Sequence, residues 1–221
     1  MNLLFLLLFL QTVSVTRDFI VTLPEENLNT VYLTFDLCPT SSGYHLDFDI
    51  VNFLIKNNIP ATFFISGRWL ETHFDEAKIL KNELFSIGSH GYRHLDFSRV
   101  DNDKIFNELK KTQILLENFF GRKSCLFRFP YGRYDTNSLK LVRDFGLLPV
   151  FWNIETGDPD KNIDAKKMVQ SLKDISSGSI IIMHANGRGV HTKEALPLIV
   201  NDLLNRGFIF KKLPENLCEK F

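Results

Sequence analysis

A chain of 221 residues suits one domain with a full core, and a hydrophobic content of 44% that includes 21 phenylalanines excludes disorder. Lys plus Arg and Asp plus Glu both number 26, so there is no net charge to gather a polyanion, which argues against nucleic acid as a partner. Cys38, Cys125 and Cys218 form no CxxC pair, which excludes a zinc ribbon or a dense disulfide framework and leaves room for one disulfide after export.

In chain order, Met1 to Val15 is an apolar run too short to span a bilayer, and it resembles a secretory signal peptide. It lacks a basic residue ahead of the run, and Val13 and Val15 flank Ser14 where small residues are usual. The expectation is a signal peptide over 1–15, export to a periplasm or the cell exterior, and no stable membrane insertion afterwards. A buried amino-terminal strand or a membrane-surface anchor is the competing reading.

Beyond it, short apolar runs alternate with longer amphipathic ones, without a linker or a repeat. Strands are predicted at Val31 to Asp36, Ala61 to Ile65, Phe85 to Ser89, Leu126 to Phe129, Leu148 to Trp152, Ser179 to Met183 and Phe208 to Leu213. Between them fall helices at about Phe48 to Asn57, Phe74 to Asn82, Asn102 to Phe120, Asn137 to Asp144, Ala165 to Ile175 and Lys193 to Asn205. In the long third helix, Ile105, Phe106, Leu109, Ile114, Leu115, Phe119 and Phe120 form the predicted apolar stripe. Gly121, Gly146 and Gly207 each follow a helix, where a left-handed closing residue is cheapest as glycine.

Strict alternation of strand and helix means parallel strands with crossover helices. No GxGxxG opens the first helix and no GxxxxGK[ST] occurs, which disfavours a Rossmann sheet and a nucleotide triphosphate enzyme. The predicted fold is therefore α/β: a distorted, incomplete (β/α) barrel of about seven parallel strands, forming a single domain over about 28–215.

In such a barrel the strand ends share one face, so polar residues closing apolar runs converge there. Asp36 closes the first run, His90 and His94 follow the third, Arg128 the fourth, Trp152 and Asp158 the fifth, and His184 the sixth. The i, i+4 spacing of His90 and His94 places two imidazoles on one side of a helical turn, able to hold one divalent cation. Asp36 is a candidate general base, or a turn cap. Arg128 suits bidentate pairing with a carboxylate, and Asp158 could orient His184 as in a catalytic dyad. Cys38 could be a reactive thiol, but small buried cysteines are commoner, and it is left out of the chemistry. The loop Ala185 to Pro197 offers Arg188 and His191 to a ligand, while turn chemistry and a cap at Thr192 explain much of it.

The ordered set Thr34-Phe35-Asp36, His90-x-x-x-His94, Arg128-x-Pro130-Tyr131-Gly132, Trp152 with Asp158, and Met183-His184 resembles the five motifs of the polysaccharide deacetylases, carbohydrate esterase family 4. Asn58 to Gly67 looks like that family's second strand, so the resemblance covers about Val31 to Leu213. It implies a metal-dependent hydrolase removing acetyl groups from N-acetylated sugars, with a glycan substrate, no obligate protein partner, and a divalent ion, zinc first, with cobalt, manganese or nickel as alternatives. Carried over, Asp36 is the base, Arg128 steadies it, His90 and His94 bind metal, and His184 is the acid, oriented by Asp158. The Tyr131 N–H holds the oxyanion, and Trp152 walls the acetyl pocket. Two positions depart from the pattern. Leu37 stands where the family has a metal-binding Asp, so the third ligand passes to water, Asp36 or a loop carboxylate such as Asp47. Pro159 stands where a Trp often follows the fourth-motif Asp. The alternatives are a non-catalytic carbohydrate-binding barrel and hydrolysis of another small amide or ureide C–N bond.

Overall fold

The computed structural model describes residues 19–23, 29–39 and 44–220; the predicted signal segment lies outside them. At the centre runs β1, Thr30–Leu37, every residue of it buried. Its alternation builds two layers. Val31, Leu33, Phe35 and Leu37 point into the core beneath the helices, while Tyr32 faces the barrel interior with Phe64, Leu126, Leu148 and Ile180, and Thr34 and Asp36 meet Arg128 on that same interior side.

On one side of β1 follow β2 (Ala61–Ile65), β3 (Phe85–Ser89), β4 (Leu126–Phe127) and β5 (Leu148–Pro149), and on the other β7 (Ser179–His184) and then β6 (Ile154–Glu155). Short β8, Ile209–Phe210, pairs with Thr30 and Val31. Every pairing is parallel. All seven predicted strands form, as a curled, incomplete barrel. The predicted fourth, fifth and seventh strands shrink to two residues each, although hydrogen bonds from Arg128 N–H to the Ser89 carbonyl and from Val150 N–H to the Phe127 carbonyl carry the first two ladders further. Strand β6 was not predicted, since two residues display no periodicity.

The gap between β5 and β7 is bridged by 19–23: Ile20 pairs with Val150 and Thr22 with Ser179. Ile20, Leu23 and Leu217 belong to the inner core, and Cys125 is disulfide-bonded to Cys218, so the packed unit extends beyond 28–215 at both ends. Constraining a loop of 93 residues stabilises the fold by about 4–5 kcal/mol in the chain-entropy description.

Helices cover the outer layer. Asp47 caps α1 (Phe48–Lys56), Asp101 caps α3 (Asn102–Phe120), Asp135 caps α4 (Thr136–Asp144) and Asp164 caps α5 (Ala165–Gln170) by accepting backbone N–H bonds. The short α2 (Gly67–Thr72) was not predicted, and the helix predicted at 74–82 is a 3₁₀ segment, Glu76–Lys81. The buried stripe of α3 runs through Ile105, Glu108, Leu109, Thr112, Leu116 and Phe119; Phe106 and Ile114, assigned to the stripe from sequence, are about half exposed. Gly121, Gly146 and Gly207 are all left-handed, as predicted. The last helix, α6, spans Thr192–Asn205. Among the described residues no helix is long and apolar enough to cross a membrane.

Candidate active site

Asp36 lies on the last turn of β1, its carboxylate buried beside a guanidinium that is itself wholly buried. Arg128 Nη1 donates to Asp36 Oδ1 at 2.8 Å and to Thr34 Oγ1 at 2.9 Å. Its other donors reach the carbonyls of Val150 and Phe151, both at 3.2 Å, and the guanidinium stacks 4.0 Å from the Phe64 ring. Five groups, from β1, β2 and the chain after β5, thus surround one cation beside one carboxylate. Burial opposes the charge on Asp36, but Arg128 and the neighbouring imidazoles outweigh it and hold the carboxyl below its usual value.

Beyond Ser89 the chain does not make the helical turn expected from the His90–His94 spacing. Gly91 and His94 are both left-handed, at φ of 68° and 62°, and the segment is a bend. Its shape is set from outside: Glu108 Oε2, on the buried stripe of α3, accepts the N–H groups of Tyr92 at 2.8 Å and Arg93 at 2.7 Å. The two imidazoles nevertheless meet, with ring centres 4.8 Å apart. His90 Nδ1 lies 2.9 Å from the carbonyl of Arg128, which can only accept, so Nδ1 carries the proton and Nε2 the lone pair. Among the described residues that buried Nε2 has no hydrogen-bond partner; Asp36 Oδ2 stands 3.6 Å away. Burial lowers the pKa of His90, and burial together with the charge of His90 pushes that of His94 down to about 2, so both rings are neutral.

The third side chain here is Cys38, with Sγ 3.3 Å from His94 Nε2. Cys38 Sγ and one nitrogen from each histidine all lie within 4.8 Å of one another, and all three residues are buried. Two imidazole nitrogens and a sulfur are a donor set that suits a divalent transition metal, and the unpartnered His90 Nε2 is the atom such an ion would satisfy.

On the other side of β1, His184 is the cross-strand neighbour of Asp36. His184 Nδ1 is 2.9 Å from Asp158 Oδ1, while Asp158 Oδ2 accepts the His184 N–H at 2.5 Å and the Thr192 hydroxyl at 2.8 Å. Thr192 therefore holds Asp158 and does not cap α6, whose N-cap is His191. Gly189 has to be glycine: a Cβ there would sit 2.0 Å from Thr192 Oγ1 and 2.5 Å from Asp158 Oδ2. Trp152 lies 5.4 Å from the Arg128 guanidinium. The 130–132 turn packs on that indole so closely that a Cβ on Gly132 would meet it at 2.9 Å. Tyr131, left-handed at φ of 61°, sets its ring edge-on to His94 at 4.3 Å.

The strand tips thus bring Asp36, His90, His94, Arg128, Trp152, Asp158 and His184 together, with Tyr131 at the rim. Arg188 is half-buried, close enough for its charge to oppose protonation of His94; burial and the Asp36 charge push the Cys38 thiol well above its usual value, and Arg188 offsets this only in part. Asp47 does not join them: its Oδ1 accepts the Asp49 N–H at the start of α1. Glu108, Thr192 in its actual role, and Asn186, which donates to the Cys38 carbonyl at 2.6 Å, were missed from sequence, and Cys38, set aside there as a small buried cysteine, lies beside the histidines.

Comparison with known proteins agrees with this arrangement. Residues 24–150 match the polysaccharide deacetylase family, a span that ends before His184. The chain is 31% identical over 194 residues to a peptidoglycan-N-acetylglucosamine deacetylase of Bacillus cereus, covering 85% of this chain and 68% of that protein. The crystal structure of a peptidoglycan N-acetylglucosamine deacetylase superposes with a TM-score of 0.80 at 29% identity, covering 89% of this chain and 91% of the other. A carbohydrate esterase family 4 pseudoenzyme from Bacillus anthracis superposes with a TM-score of 0.75 at 26% identity, covering 86% and 65%.

Proposed function

We infer the activity from membership and site together: the chain belongs to the polysaccharide deacetylase family, and it is a hydrolase that removes acetyl groups from N-acetylated sugars by breaking an amide carbon–nitrogen bond. The observation that carries this reading is the pair of buried couples at adjoining strand tips, Asp36 with Arg128 at 2.8 Å and His184 with Asp158 at 2.9 Å.

A divalent ion, as this family uses, polarises the acetyl carbonyl and acidifies water when bound, and His90 and His94 are residues that would hold it; zinc suits the imidazoles best. Asp36, kept ionised by Arg128, accepts the proton of the attacking water. The backbone N–H of Tyr131 faces the developing oxyanion, and Trp152 lines the space for the acetyl methyl. His184, with Nδ1 turned to Asp158, uses Nε2 to deliver a proton to the departing sugar amine. Export is part of the same proposal. The apolar amino terminus and the Cys125–Cys218 disulfide support it, since such bonds persist in oxidising compartments.

Purified protein supplied with zinc, cobalt or manganese is assayed for acetate release from chitooligosaccharides and peptidoglycan. Release from at least one supports the reading, and none from folded, metal-loaded protein overturns it. Leu37 in place of a metal-binding Asp, and the likeness to a pseudoenzyme, favour a second reading: a barrel that binds glycans without cleaving them. Glycan binding without acetate release would establish that one.

A further inference from the structure

The residue after Asp36 supplies no ligand. Leu37 is fully buried among Leu33, Phe35 and their neighbours under the helices, because the pleat of β1 turns odd-numbered side chains away from the site. The even-numbered residues Thr34 and Asp36 face it. Cys38, one step beyond the strand, returns to that side and places Sγ beside His94.

Three observations set Cys38 apart from an ordinary packed thiol. Its sulfur shares a small volume with the two imidazole nitrogens, all within 4.8 Å. Its backbone is anchored, with the carbonyl accepting from Asn186 Nδ2, a wholly buried side chain at the tip of β7. Independently, His90 presents a lone pair on Nε2 that is buried and has no hydrogen-bond partner among the described residues, an arrangement that is unfavourable unless something fills it. A sulfur and a nitrogen bound to one tetrahedral zinc lie about 3.5 Å apart, close to the 3.3 Å between Cys38 Sγ and His94 Nε2.

We propose that Cys38 is the third protein ligand of the metal site, so that a sulfur takes over from the carboxylate missing at position 37. This rests on the reading of the chain as a metal-dependent deacetylase. On coordination the thiol gives its proton to solvent and binds as thiolate, which restores the one negative ligand charge that an Asp would bring. The softer donor moves preference away from manganese and magnesium and toward zinc.

Cobalt titration of the full chain, with Cys125 and Cys218 kept oxidised, leaves Cys38 as the one thiol able to bind. The expected result is a near-ultraviolet sulfur-to-cobalt charge-transfer band at one cobalt per chain. Cys38→Ser should abolish the band and weaken cobalt binding by more than the about 10–100-fold that loss of an outer hydrogen-bonding partner costs. Cys38→Asp should lose the band while recovering affinity, a gain that a misfolded protein cannot give. Cobalt binding without the band, or unchanged affinity in Cys38→Ser, would show the thiol to be only hydrogen-bonded to His94. No binding at all would equally overturn the assignment. Acetate release judges the deacetylase reading separately: release without the band keeps the enzyme and removes the ligand, and the band without release does the opposite.

Discussion

The two sides of the cleft satisfy their buried polar groups differently. On the side of β7, Asp158 receives three donors and His184 is oriented through Nδ1. On the side of β1 and β3, Asp36 is matched by Arg128, but among the described residues His90 Nε2 has no hydrogen-bond partner and His94 Nε2 meets the Cys38 thiol. Protein atoms alone complete the first side, whereas the second leaves a buried lone pair without a partner among the described residues and is in that sense unfinished. Strand tips therefore deliver a finished proton donor next to an unfinished metal cradle.

The largest expected effect comes from unbalancing the one ion pair on the unfinished side. Arg128→Met strands a buried carboxylate, and breaking such a pair costs about 3–5 kcal/mol. Urea denaturation should show this loss, and Asp36→Asn combined with Arg128→Met should regain most of it. A single variant as stable as wild type would mean that Asp36 takes a proton at no cost and that its ionisation is not built into the fold. On the finished side the effect should fall on rate alone. His184→Ala should slow acetate release by about 10²–10⁴-fold with cobalt affinity unchanged. Equal loss of cobalt would erase the distinction between the two sides.

Much of this contrast is legible in the sequence. Asp36, His90, Arg128 and His184 each close an apolar run, and parallel strands put such ends on one face. The third ligand candidate was less visible. Period two through Thr34 and Asp36 points to position 38, but a strand's pattern carries little authority where the loop begins. Glu108 is absent from the apolar stripe predicted for the long helix, although Ile105, Leu109 and Thr112 at helical spacing place it within the buried face. The His90–His94 interval suggested a helical turn because spacing alone does not reveal that Gly91 and His94 are left-handed and that α3 holds the bend. The two-residue strands β4, β5 and β6 are fixed by their neighbours more than by local pattern.

The unfinished side should also make the metal-free protein sensitive to mild acid. Burial lowers the pKa of His90, and that of His94 falls to about 2, against an ordinary value of 6.5. For His94, between those values the unfolded chain binds more protons than the folded one, so stability must decline as pH falls below about 6.5, by up to about 1.4 kcal/mol per pH unit, and the lowered pKa of His90 adds to the loss in the same direction. Asp36, whose folded pKa is depressed, adds to the loss only below the ordinary carboxylate value of 3.8. Urea midpoints between pH 7 and pH 5 should fall steeply in wild type and flatten in His90→Gln/His94→Gln. A flat wild-type profile would place the imidazoles in contact with solvent.

The smallest effect tests how the cradle is held. Glu108 touches no site atom, yet one of its oxygens receives both backbone N–H groups that fix the bend between the histidines. Burial raises its pKa and the two N–H groups work against that, so what the position requires is an acceptor more than a charge. Glu108→Gln keeps a carbonyl oxygen there and should lose little. Glu108→Ala takes the acceptor from two part-buried N–H groups, costing about 0.5–1.5 kcal/mol of stability. Because His94 depends on that bend and His184 does not, the alanine variant should also weaken cobalt binding by about 10–100-fold while leaving the His184–Asp158 side intact. If Gln and Ala behaved alike, the carboxylate's charge would be what matters, and if Ala bound cobalt as wild type does, the bend would hold itself.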